Sequence, residues 1–161
     1  MKLRWGGVFL FFAACSSGSP KTEELNPRPD AILRSEVANT SLRADEEFTL
    51  KWFVAVPPDW FIQSLDVTDY PALESFVTIS KTETEKLKFE KWQDQGLDFN
   101  RAEIIEYRLL PRRSGELKIP PMKVALKIKK WNPEKKSLGE EESLSIMSDS
   151  LHLDIESSHG Y

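Results

Sequence analysis

The chain has 161 residues, 40% hydrophobic and 30% charged, with 26 Asp and Glu against 22 Lys and Arg for a net charge of −4. That acidic balance argues against nucleic acid as a general partner, because binding a phosphate backbone calls for a basic face. One cysteine excludes an internal disulfide, so the fold must be held by its apolar core.

Met1-Lys2-Leu3-Arg4 is basic, Trp5 to Ala14 is apolar, and Cys15-Ser16-Ser17-Gly18-Ser19 is small and polar. A basic start, an apolar run of about ten residues and small residues before a cut mark a secretory signal, and about ten residues is too short to span a bilayer. Phe12-Ala13-Ala14-Cys15 resembles a bacterial lipobox, with Phe12 where Leu is usual. The resemblance implies removal of residues 1–14 and lipid attachment at Cys15. Acyl chains contribute about 0.8 kcal/mol per buried CH₂, so the mature protein would be membrane-anchored without spanning. Ser16, being non-acidic, implies the outer membrane rather than the inner, with the protein facing the periplasm. Residues 15–30 hold Pro20, Pro27 and Pro29 and a single aliphatic side chain, Leu25. That is too little apolar surface to fold, so they read as a tether that could extend to about 50 Å.

From Ala31 to Glu156 the pattern is one of short strands. Ala31 to Ala38, continuing through Leu42 after a break near Asn39, reads as the first, and Ala44 to Glu47 as a charged turn. Phe48, Leu50, Trp52, Val54 and Val56 then alternate with Thr49, Lys51, Phe53 and Ala55 until Pro57-Pro58. Further strands are expected at Phe61–Val67, at Phe76–Ile79 and within Thr82–Gln95, followed by a loop bracketed by Gly96 and Asn100. Ile105, Tyr107 and Leu109 alternate with Ile104, Glu106 and Arg108, which predicts that the first set is buried. Pro111 ends that strand for want of an N–H, and Ser114-Gly115 offers a reversal. Leu117 and Ile119 restart the alternation, giving an expected antiparallel pair with the preceding strand. After Pro120-Pro121, Met122, Val124, Leu126 and Ile128 face inward and Lys123, Ala125, Lys127 and Lys129 outward. Lys129 to Glu142 reads as loop, Ser150–Ile155 as the closing strand, and 157–161 as a frayed tail. Eight or so antiparallel strands without an amphipathic helix predict an all-β, immunoglobulin-like sandwich.

Tyr107, Leu109, Pro111, Gly115, Ile119, Pro120 and Pro121 fall in a spacing that resembles the immunoglobulin-like modules of the BatD-type oxygen-tolerance family. The Ala/Asp turn leading into Glu-Phe-Thr-Leu at 47–50 is similar to the start of that family's second strand. The resemblance implies an envelope assembly role without catalysis, alongside membrane proteins carrying von Willebrand A domains and a MoxR-type ATPase. Members of the family carry several modules and a transmembrane segment; one module is legible here, with a lipid anchor in place of the span.

Catalytic signatures are sparse. His152 falls on the outward side of a strand and His159 in the tail, and no Gly-x-Ser-x-Gly elbow or phosphate-binding glycine loop is present. The reading is therefore a non-enzyme without a cofactor. Asp94, Asp98, Asn100 and Glu103 could supply oxygens to calcium, but they lack the alternating acids and central glycine of a dedicated loop. Lys118, Lys123, Lys127, Lys129, Lys130, Lys135 and Lys136, opposed only by Glu134, leave two readings: an edge strand guarded by lysines, or a docking face for an acidic partner or anionic headgroups. Trp60-Phe61 and Trp131 stand beside turns, where an aromatic is either a core plug or a partner anchor. The candidate partner-binding set is Trp60, Lys127, Lys129, Lys130 and Trp131. A carbohydrate-binding sandwich, with Trp60, Trp92 or Trp131 stacking on sugar rings, is the alternative.

Overall fold

The computed structural model describes residues 31–39 and 41–158, and every regular element among them is a strand. The expected signal segment, Cys15, the expected tether and His159 lie outside the described residues. The strands are β1 (Ile32–Val37), β2 (Phe48–Val56), β3 (Trp60–Asp69), β4 (Phe76–Glu83), β5 (Phe89–Asp94), β6 (Leu97–Pro111), β7 (Gly115–Ile119), β8 (Lys123–Asn132), β9 (Ser137–Met147) and β10 (Leu151–Ile155). One sheet runs β1-β2-β6-β4, with β5 also pairing β6. The other layer contains β3-β8-β9 and the pair β7-β10. These are the A-B-E-D and C-F-G orders of an immunoglobulin-like sandwich, with every named pair antiparallel.

The inward alternation of β2 and β8 builds the core. Leu50, Trp52 and Val54 from one sheet meet Val124, Leu126 and Ile128 from the other, all buried. Edge-to-face pairs, each with ring centroids 5.7 Å apart, add to the core: Trp52–Tyr107 joins the neighbouring strands β2 and β6, and Phe48–Phe76 reaches from β2 to β4 across β6.

Several expectations are corrected. Gly96 and Asn100 do not bracket a loop: Gln95 (φ 49°) and Gly96 (φ 78°) make a two-residue turn, and Asp94 pairs directly with Leu97. Two successive positive φ values match the right-handed twist of a tight hairpin, so β6 starts early. Ile104 is buried as well as Ile105. The register passes from Trp52↔Ile105 to Phe53↔Glu103, which makes Ile104 an extra residue that reverses the inward phase of β6, and its carbonyl accepts from Thr84 N–H at 3.0 Å.

The third correction concerns the return after Tyr107. β6 and β7 do not pair; β7 crosses to the opposite layer and pairs β10. Gly115 does take positive φ (95°), and Pro111 ends β6 opposite Phe76. Lys123↔Met147 in β8–β9 and Ile119↔Leu151 in β7–β10 lie four residues apart on each strand. The two pairs are thus halves of one long hairpin that keeps a single register from Gly115↔Ile155 to Lys129↔Glu141. Pro120-Pro121 interrupts it, and Ser148 bridges the break: its Oγ accepts from Met122 N–H at 3.0 Å and from the Trp52 indole N–H at 3.4 Å, while its own N–H donates to Met122 O at 2.9 Å.

The strand count is ten rather than eight. The main omission was β9, whose Gly139-Glu140-Glu141-Glu142 carries no inward alternation because it forms an exposed edge. Its partner β8 lies between β3 and β9, so the lysine-rich strand is central, and the reading of those lysines as guards of an edge is overturned.

Candidate docking surface

Lys123, Ala125, Lys127 and Lys129 alternate with buried Val124, Leu126 and Ile128 and so belong to the outer side of the three-stranded sheet. The β8–β9 register then shifts between Lys129 and Trp131, and Trp131 lines an end cavity of about 550 Å³ with Trp60, Lys130 and Gly139. The lysines are opposed by more than Glu134. Lys129 faces Glu141 in the β8–β9 register, and Lys127 Nζ lies 3.6 Å from Glu141 Oε1. Lys130 points elsewhere, with Nζ 3.5 Å from Asp59 Oδ2 and 5.8 Å from the Trp60 ring centroid.

The predicted set therefore divides. Trp60 is 8% exposed and joins the core cluster, which makes it a plug rather than an anchor. Trp131 is 41% exposed. It pairs with Leu138 of β9, also 41% exposed, and Phe61 of β3, 46% exposed, pairs with Lys129. Large apolar side chains thus stand on three adjacent strands at one end of the sheet. The neighbouring turn is fixed by Asn132 Oδ1, which accepts from the N–H groups of Glu134 and Lys135, each at 3.0 Å. Trp131 N–H donates to Asp59 O at 2.8 Å, tying this turn to the β2–β3 connection. Sequence reasoning placed Phe61 beside a turn without taking it into the partner-binding set, and missed Leu138. Phe61 was accessible by alternation once Trp60 was placed inward; Leu138 belonged to the unrecognised strand.

The other singled-out groups have different surroundings. On the outer side of the five-stranded sheet, the Arg34 guanidinium lies 5.1 Å from the Trp92 ring centroid and that of Arg101 lies 5.4 Å away, so Trp92 is packed by cations. Asp94 accepts two hydrogen bonds from Arg34, at 2.9 and 3.0 Å, which hold its carboxyl below the ordinary carboxylate range. Glu103 accepts from Lys51 at 2.8 Å and Asp98 from Gln93 at 2.7 Å. The acids considered for calcium thus have partners of their own, and among the described residues no cluster of three or more His, Cys, Asp and Glu side chains could hold a metal. His152 is exposed, with Nδ1 3.8 Å from Glu116 Oε1 across the β7–β10 pair.

The family-motif residues shape the sandwich. Tyr107, Leu109 and Ile119 are buried, while Pro111, Gly115, Pro120 and Pro121 set the crossing between layers and the hairpin break. Burial pushes the Tyr107 hydroxyl above the usual phenol range, partly offset by the nearby Lys81 ammonium. No protein-family model and no curated protein matches this chain.

Proposed function

We propose that this chain is a non-catalytic, lipid-anchored module that faces the periplasm and docks another envelope protein. The observation that carries the reading is that Phe61, Trp131 and Leu138, each more than 40% exposed, stand on three adjacent strands at the end of the sheet whose central strand carries Lys127 and Lys129. Aromatic and aliphatic side chains rimmed by charge form the usual centre of a protein contact. Cys15 would hold the module at the membrane and residues 16–30 would set its reach. The BatD-type resemblance supplies the expected partner class, proteins with von Willebrand A domains, and a role in oxygen or stress tolerance. The carbohydrate alternative has less support, because Trp60 is buried and Trp92 is packed by arginines, leaving Trp131 alone for stacking.

The test is a crosslinked pull-down from native membranes with the full-length chain and its Cys15→Ala version. A von Willebrand A protein recovered with the first and weakened with the second is expected. Retention of cell-wall glycan without any protein partner would overturn the reading.

A further inference from the structure

β3 pairs β8 along one side only. Its other side borders a slot of about 680 Å³ lined by the consecutive residues Ile62 to Val67, so strand backbone as well as side chains forms the wall. The opposite wall is Glu83 at the end of β4 and the β4–β5 connection from Thr84 to Leu87, and Tyr70, Phe89 and Ile104 complete the lining. Among the described residues, no backbone hydrogen bond joins the two walls. Ile62, Leu65, Val67 and Leu87 bring apolar surface to the slot from the margin of the core. Six residues of strand correspond to roughly 20 Å, the span of one short extended segment.

Register shifts at Ile62/Ser64 and Val67/Asp69 limit the regular edge to Ser64–Val67. Bulges of this kind keep an edge from pairing indiscriminately, while leaving room for a short, chosen strand. Charge narrows the choice. Glu83 is held by Lys81 at 2.6 Å and by the Tyr70 hydroxyl at 2.7 Å, but among the described residues Asp66 and Glu85 form no ion pair, and the slot's one lysine is Lys86. The chain's own residues 16–30 fit poorly, since Pro20, Pro27 and Pro29 lack the N–H a ladder needs and Glu23 and Glu24 repeat the slot's charge.

We infer that this slot receives an extended segment of a partner protein, with apolar and basic side chains in alternation, added as a strand to the free edge of β3. The inference rests on the reading that the module binds protein, and gives that binding a mode.

The experiment follows hydrogen exchange in the detergent-solubilised full-length chain with the peptide acetyl-Arg-Val-Arg-Val-Arg-Val-amide. Exchange across Ile62–Val67 is expected to slow by about tenfold or more at saturation. The same peptide N-methylated at alternate residues should have no such effect, and an Asp66→Lys, Glu85→Lys double variant should bind the parent peptide at least tenfold more weakly. Unchanged exchange in β3, equal protection by the N-methylated peptide, or equal binding by the double variant would overturn the inference. If the pull-down recovers a protein partner while β3 stays unprotected, only this mode fails. If it recovers none, the docking reading itself fails.

Discussion

The Ser148 hydroxyl accepts from the Met122 amide and the Trp52 indole, and both donors are buried where water cannot replace it. Ser148→Ala removes the acceptor and leaves the donors unpaired, a change that costs about 1–3 kcal/mol. Urea unfolding should show the midpoint falling with an unchanged m-value, because the surface buried is the same. Nothing in the sequence marked Ser148. It lies in a Met-Ser-Asp-Ser stretch that reads as solvent-exposed loop, and its importance comes from facing Pro120-Pro121 across a hairpin whose register periodicity does not reveal.

At the scale of elements, charge opposes charge along the strands. Glu141 faces Lys129 and approaches Lys127, so Glu141→Lys sets like charges across the β8–β9 pair. The expected loss is about 0.2–1 kcal/mol, greatest in low salt, and thermal melts across a salt series would measure it. Arg34–Asp94 links β1 to β5, strands of the five-stranded sheet that do not pair with each other. Because Arg34 holds Asp94 below its unfolded value, the pair's contribution is present above the ordinary Asp range near about pH 3.9 and is lost as pH falls through the lower folded value. Arg34→Gln should therefore be less stable than the parent at neutral pH, with the difference closing on acidification, as denaturation curves over that range would show. A gap that stayed constant with pH would contradict this assignment.

For the whole molecule, strands with one buried and one wet face were legible from alternation, as in β2, β8 and β10. Alternation names the face a residue occupies but not the strand beside it. It could not show that β7 abandons β6 for β10, or that β8 is flanked on both sides. β9 was hidden for a related reason: an exposed edge favours charge, so Glu140 to Glu142 suppress the apolar signal that Leu144 and Ile146 later supply. The candidate docking surface was legible in part. Phe61, Trp131 and the lysines were visible as residues, whereas Leu138 joined them only through cross-strand pairing.

The proposal that this end of the three-stranded sheet meets another envelope protein is tested by placing a photo-crosslinking benzophenone side chain at position 131 of the full-length chain in native membranes, with position 118, exposed on β7, as the control. A discrete crosslinked protein is expected from position 131 and none from 118. No protein adduct at 131, or equal adducts at both positions, would contradict the proposal.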